Sequence, residues 1–432
     1  MRVNVSRLFS ALYLIAAREF NLKILMLAHY YPPETGGATS RLSGLARWLR
    51  AYGHEVTVIT GFPNYPSGTI PDMYKGKWWA HEQMDGVDLL RVWVFARPYR
   101  KSWQRLANYF SFVFSASMAA IFHRGRYDLV FASSPPLFIG LAGVFWSLVR
   151  RLPLVFDIRD LWPEVAVEAG AYARDSLFVR ISEKLERFFY RRSTRVVAVT
   201  NRKLEKLADR GVPAHKLALV ENGVDLDLMT DIANDDLRVK YGIQNKFVCV
   251  YAGLIGVCQG VGMILDAAQR LHSTGKFHFL IAGDGVERPM LEKQAAENGL
   301  DNVTFLGSLP KSAIPGMIKT ADLPLVPLSN TNIDDAIPSK LLEAWACKKP
   351  LLFMGGGEAR RLVDSVGGGL STDPDGASVA IALQQLQADP EAMQRAGALG
   401  FAYVRDNLDR PALARKLEAV FEEMLTHPKG PR

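Results

Sequence analysis

Cysteine is scarce in this chain. Cys249, Cys258 and Cys347 are the only three in 432 residues. They are too scattered for a disulfide framework or a zinc knuckle, and they fit a reducing compartment. No stretch reads as a secretory leader either. Residues 8–17 are apolar, but no convincing cleavage site follows, and Arg18, Glu19 and Lys23 come next. There are no short repeats and no low-complexity tracts. The longest apolar run, Leu106 to Phe122, is interrupted by Asn108, Ser111, Ser115 and Ser117. It is slightly short and too polar for a bilayer span. Two readings stay open for it: a buried helix, or a helix that dips its aromatic face into a bilayer surface. Arg97, Arg100, Lys101 and Arg105 around its start would attract anionic lipid. Two phosphate motifs are missing as well. The glycine turn Tyr31-Pro32-Pro33-Glu34-Thr35-Gly36-Gly37 is no Walker loop, because no Gly-Lys-Ser/Thr follows it. It is no dinucleotide fingerprint either, because the third glycine is absent.

The composition that is present, 49% apolar and 22% charged, is that of a globular protein, and the length implies two domains. The net charge of +8 favours anionic partners such as phosphates or an acidic membrane surface. The basic residues are dispersed and belong to no recognised nucleic-acid module, so no nucleic-acid partner is expected. Apolar strands alternate with helical patterns throughout. Leu22–Ala28 reads as a strand, Ala38, Leu42, Leu45 and Leu49 recur at helical spacing, and Val56–Thr60 is the next strand. That βαβ unit implies a parallel sheet. The alternation restarts at Phe247–Ala252. Two doubly wound α/β domains facing a cleft are expected: an N-terminal extension over 1–21, a first domain over 22–220, and a second over 221–408 with the hinge near Val220–Asn222. A terminal amphipathic helix over 409–432 is expected to pack back toward the first domain.

The chemistry should lie in loops at the carboxyl ends of strands, where open α/β sheets bind ligands. Gly36 and Gly37 stand before the first helix, where the backbone can approach a ligand closely. Gly253, Gly256 and Gly260 form the matching loop of the second half, and Gly283-Asp284-Gly285 follows the next strand. Asp157-Ile158-Arg159-Asp160-Leu161-Trp162-Pro163-Glu164 places four ionisable residues at another strand end. They form either an exposed turn with a local ion pair or a contact for acceptor or donor phosphates. The most informative stretch is Ile337-Pro338-Ser339-Lys340-Leu341-Leu342-Glu343-Ala344. Lys340 and Glu343 share a face at a helix start, where free N–H groups and the positive end of the dipole also lie. A phosphate can dock on the lysine and the amides while the glutamate accepts sugar hydroxyls.

Taken in order, Gly36-Gly37, Asp160, Asn222-Gly223-Val224-Asp225, Gly283-Asp284-Gly285, Phe305-Leu306-Gly307 and Pro338-Ser339-Lys340 with Glu343-Ala344 resemble the family 4 glycosyltransferases. These are retaining enzymes of the GT-B fold, and the resemblance spans about residues 22 to 425. Ala28-His29-Tyr30-Tyr31-Pro32-Pro33-Glu34 and Arg159-Asp160-Leu161-Trp162-Pro163-Glu164 look most like the bacterial surface-polysaccharide branch, which includes the N-acetyl-L-fucosamine and colanic acid transferases. The resemblance implies a UDP- or GDP-sugar substrate, no cofactor and no bound metal. It also implies a lipid-linked or growing glycan acceptor, and a location in the cytoplasm or on the inner face of the plasma membrane. It assigns donor binding to Gly36, Gly37, Gly256, Gly283, Asp284, Gly307, Ser339, Lys340 and Glu343, and catalysis to Asp160, Arg159 and Asp335. Glu343 would hold the ribose, Lys340 the phosphates, and backbone near Gly307 the base.

Three departures stand out. Leu254 and Gln259 occupy positions where the family often carries Arg and Lys, which leaves Lys340 with Arg159, Arg288 or Arg360 as replacement cations. Asp335 stands where a glutamate usually opens the Glu-x7-Glu pattern. Arg159 stands where a histidine often precedes the aspartate. Two alternatives share the fold: a nucleotide-sugar epimerase and a non-catalytic subunit.

Overall fold

The structure is a computed structural model that describes residues 21–65, 67–98, 102–168, 170, 172–230, 237–329 and 333–426. The expected N-terminal extension, apart from Asn21, and the basic residues Arg100 and Lys101 lie outside the described residues. The chain forms two compact units. One comprises residues 1–158, 188–197 and 414–432, and the other residues 159–187 and 198–413. The division therefore falls at several chain crossings. Ala414 onward belongs with the first unit, where Phe421 meets Phe131 edge-on and Glu418 meets His54 at 2.8 Å.

The first sheet has eight strands: β1 (Lys23–Ala28), β2 (Glu55–Gly61), β3 (Trp79–Met84), β4 (Val87–Val92), β5 (Leu129–Ser134), β6 (Leu154–Ile158), β7 (Arg195–Ala198) and β8 (Leu217–Leu219). Their order is β3-β4-β2-β1-β5-β6-β7-β8. β1 pairs in parallel with β2 and β5, and its sequence Ile24-Leu25-Met26-Leu27-Ala28 is buried throughout. Such a continuous apolar run suits a strand covered on both faces. β3 is the one antiparallel edge strand shown by the pairings and alternates exposed with half-buried residues. Helix Gly37–Ala51 follows β1, and Arg41 on it forms a fully buried ion pair with Asp157 at 3.0 Å.

The second sheet has six strands: β9 (Phe247–Ala252), β10 (Phe277–Ala282), β11 (Val303–Gly307), β12 (Leu323–Pro327), β13 (Leu351–Met354) and β14 (Gly369–Thr372). The order is β11-β10-β9-β12-β13-β14, and every recorded pairing is parallel. Strand order reverses between β9 and β12, and a crevice opens at the carboxyl ends of such a pair. Trp345, on the helix Ser339–Ala346, anchors the core beneath. Its ring lies against Gly368 and Gly400, and its indole N–H donates to the Gly368 carbonyl at 2.7 Å.

Candidate donor site

The loops after β9, β10 and β11 touch one another through backbone. The Gly253 amide donates to the Ala282 carbonyl at 2.9 Å, the Gly283 amide to Gly307 at 2.8 Å, and the Ile255 amide to Asp284 at 2.9 Å. A side chain on Gly283 would run into the Gly253 carbonyl, and one on Gly285 into the Ile255 carbonyl. Both glycines also hold positive φ, of 143° and 158°. These positions need glycine so that three loops can pack into one floor.

Lys340 reaches that floor. It sits in the opening turn of helix Ser339–Ala346, and its Nζ lies 5.3 Å from the centroid of the Tyr251 ring. A Cβ on Gly253 would collide with Lys340 Cε and stand 2.7 Å from its Nζ. Gly253 is therefore the gap through which the lysine arrives. Gly253 was legible as part of the glycine loop, but Tyr251 carried no assigned role in the sequence, because it reads as an ordinary strand residue.

Lys340 and Glu343 are both half-buried, and neither side chain makes a hydrogen bond or a close ion pair among the described residues. Burial lowers the lysine's proton affinity, and Glu343 partly restores it. Burial raises the Glu343 pKa, against the pull of Lys340, Lys311 and Arg410. The helix start adds the amides of Ser339 and Lys340, which have no intrahelical acceptor. An ammonium, a carboxylate and free amides thus converge with their bonding capacity unspent.

Among the candidate replacement cations, Arg288 reaches this floor. Its Nη1 would stand 3.5 Å from a Cβ on Gly307, and it lies 3.9 Å from Asp284 while pairing with Glu292 at 2.7 Å. Arg360 is engaged elsewhere, by Asp373 at 2.8 Å. Leu254 is 53% exposed, with no charge to offer. Gly256 is buried at the start of the turn that runs to Gly260.

Asp335 departs from its expected role. Its carboxylate does not reach out for a sugar hydroxyl, because Lys203 binds Oδ1 at 2.8 Å and Lys206 binds Oδ2 at 3.1 Å. Lys203 Nζ also donates to the Asp335 carbonyl at 2.6 Å, as does Thr200 Oγ1 at 2.9 Å. Lys206 continues to Asp334 at 2.7 Å and Glu164 at 2.9 Å. Glu358 accepts the opening amides of helix Asn201–Asp209. The cluster fixes the backbone four residues before Ser339. Its lysines lie at i and i+3, a sequence signal that a one-face reading of 201–209 would have found.

Arg159 and Asp160 begin the second unit and are half-buried. Beyond them Trp162 joins Tyr172 and Phe178 in an aromatic cluster. Asp157 is not part of an exposed turn, since it pairs with Arg41 and accepts from Ser133 Oγ at 2.7 Å. In the first unit Gly36 precedes helix Gly37–Ala51 with φ of 149°. Neither Gly36 nor Gly37 has any atom within 4 Å of where a Cβ would sit. The preceding loop is tied down by Glu34, whose carboxylate accepts from the Asn64 and Tyr65 amides at 2.8 Å. His29 is buried, bonded to Asn108 at 2.7 Å, and desolvated to a pKa of about 4. Among the described residues no group of three or more His, Cys, Asp or Glu could hold a metal ion.

Comparison with known proteins agrees with this arrangement. Residues 36–223 match a family model described as a glycosyl transferase 4-like domain, and residues 233–400 match one described as glycosyl transferases group 1. The putative colanic acid biosynthesis glycosyl transferase WcaI of Escherichia coli K12 is 26% identical over 335 residues, covering 75% of this chain and 81% of the relative. The probable glycosyltransferase WbjE of Pseudomonas aeruginosa is 26% identical, covering 61% of this chain and 66% of the relative. Among solved structures, Anabaena Alr3699/HepE in complex with UDP and glucose superposes with a TM-score of 0.70 at 20% identity, over 93% of this chain and all of that one. WaaG, a glycosyltransferase involved in lipopolysaccharide biosynthesis, gives 0.67 at 17% identity, over 92% and 99%. Two mainly parallel α/β sheets, a glycine-built donor floor and matches covering most of the sequence make this chain a member of the family 4 glycosyltransferases, with the GT-B fold.

Proposed function

We propose that the chain transfers a sugar from a UDP- or GDP-sugar to a lipid-linked or growing glycan acceptor, with retention, during bacterial surface-polysaccharide biosynthesis. The observation that carries this reading is the unbonded Lys340–Glu343 pair beside Gly253. Lys340 and the Ser339 amide hold the diphosphate. Arg288, beside Gly307, adds charge at the neighbouring loop. Glu343 accepts the ribose hydroxyls, and backbone at Gly307 meets the base. Gly283 and Asp284 line the sugar end. HepE, which shares the fold, was solved with UDP and glucose, and WcaI is described as acting in colanic acid biosynthesis.

In the reaction the bond between the anomeric carbon and the diphosphate oxygen breaks. The acceptor oxygen forms its bond on the same face and passes its proton to the departing phosphate. The protein then has two tasks, to position the reactants and to stabilise the departing charge. Lys340 serves the second, since charge builds on the phosphate it touches.

The acceptor side works at the inner membrane surface. No helix among the described residues is long and apolar enough to cross a membrane. Helix Ser102–Phe122 instead exposes Trp103, Phe110, Phe114 and Ile121. Their spacing of seven, four and seven residues puts them on one stripe. Arg97, Arg105, Arg124 and Arg126 are exposed around its two ends. An apolar stripe with flanking cations suits a helix lying in the interface of an anionic bilayer.

The test incubates the purified protein with a panel of labelled UDP- and GDP-sugars and membrane extract. One donor should yield a lipid-extractable labelled glycan, and Lys340→Ala should slow its formation at least about tenfold. Labelled product from no donor, or full activity in Lys340→Ala, would overturn the reading.

A further inference from the structure

A second cavity, of about 600 Å³, opens where β1, β2 and β4 begin and just before β5. That is the amino-terminal edge of the first sheet, whereas the ligand loops lie at carboxyl ends. The volume is that of an ordinary small-ligand site. Its lining carries both charge signs, Lys23 and Arg126 against Glu55, Glu82 and Asp88, with the His81 imidazole beside them; Glu82 is already bonded to Arg91 and Tyr74. Lys23 and Glu55 pair at 3.0 Å, and Gln83 donates to Asp88 at 2.8 Å. Arg126 is exposed and has no hydrogen bond or ion pair among the described residues. His81 stacks near His123 with ring centroids 6.3 Å apart. His123 is also the residue directly after Phe122, which is 72% exposed at the end of the apolar-striped helix. Cavity and stripe are thus continuous along the chain.

We propose that this cavity holds the head group of a zwitterionic aminophospholipid, with the phosphate on Arg126 and His81 and the ammonium between Asp88 and Glu55. The inference rests on the membrane-docking reading above and adds a lipid preference to it. Mixed lining selects this head group on simple electrostatic grounds. A purely anionic head would meet Asp88 and Glu55 as like charges. A quaternary ammonium would offer those carboxylates no N–H donor, whereas a primary ammonium offers three. The apolar stripe beside the cavity supplies the surface from which such a head group arrives.

The test floats the full chain with two kinds of vesicle. One holds phosphatidylglycerol in phosphatidylcholine; in the other, phosphatidylethanolamine replaces most of the phosphatidylcholine. Wild type should bind the ethanolamine vesicles at least about tenfold more tightly, the scale of one charge-assisted contact. Asp88→Asn should remove that increment and leave binding to the choline vesicles in place, whereas Arg126→Ala should remove it and also weaken binding to the choline vesicles, because Arg126 is one of the cations that flank the stripe. Phe114→Ser should weaken binding to both kinds, because it reports the stripe and not the cavity. Equal wild-type binding to both vesicles would overturn the head-group assignment and leave membrane docking standing. Failure to float with either would overturn both. Should a variant melt early by circular dichroism, wild type decides alone. Soluble glycerophosphoethanolamine should raise its melting temperature and glycerophosphocholine should not. Equal responses, no response, or a rise with a neutral oligosaccharide only would each overturn the proposal.

Discussion

Lys340 is held in surroundings that weaken its charge before any ligand arrives. Burial disfavours the ammonium, and Glu343 only partly offsets this. The protonated form stabilises the charge on the departing phosphate, so kcat should fall as pH rises through a lysine pKa lower than the ordinary 10.5. Values of kcat across alkaline pH check this, and Lys340→Arg should flatten the decline because guanidinium stays charged. Removing the partners separates their roles. Glu343→Ala should weaken nucleotide binding, whereas Lys340→Ala should mainly lower kcat. Each loss should be about 1.5–3 kcal/mol, the scale of a hydrogen bond to a charged group. Gly253→Ala should mimic the lysine variant, since the added methyl claims the space of Lys340 Cε and the residue holds φ of 152°. Steady-state kinetics of the three variants check the set.

Elements in this chain are placed by their packing and by a few buried charges. The Lys203–Asp335–Lys206 cluster ties the helix Asn201–Asp209 to the segment that feeds helix Ser339–Ala346. Lys203→Met leaves the buried Asp335 with Lys206 alone. Denaturant unfolding should show a loss approaching the ~3–5 kcal/mol typical of a broken buried pair. In the core, Gly400 admits the Trp345 ring, with Cγ 2.5 Å from where a Cβ would stand. Gly400→Ala should therefore destabilise by about 1–3 kcal/mol through overpacking. Element identity was legible wherever strands were apolar and continuous. The strands expected over Leu22–Ala28, Val56–Thr60 and Phe247–Ala252 occur as Lys23–Ala28, Glu55–Gly61 and Phe247–Ala252. Trp79–Met84 was missed because an edge strand with one open face needs no apolar run. Gly369–Thr372 is short, half-buried and polar, so it carries no strand signal either.

For the whole molecule, stability should depend on pH through His29. Its folded pKa of about 4 lies below the ordinary 6.5, so the unfolded chain takes up a proton first. Stability is complete above pH 6.5 and is lost as pH falls toward 4, by up to about 3 kcal/mol. Glu34 opposes this on acidification, since burial raises its pKa. Melting temperatures over that range should decline more steeply for wild type than for His29→Asn. The donor site was legible as a set of loops because glycines at strand ends and a cation–carboxylate pair at a helix start are local patterns. Contacts that join distant segments were not. Arg41 with Asp157, Lys203 with Asp335, and Lys340 with Tyr251 lie more than 80 positions apart and leave no local pattern. The central claim is that Lys340 and Glu343 grip an activated sugar nucleotide. A crystal structure of the chain with a UDP- or GDP-sugar should show the diphosphate bonded to Lys340 Nζ and the Ser339 amide, with the ribose on Glu343. Density for the nucleotide elsewhere, with this pair untouched, would contradict the account.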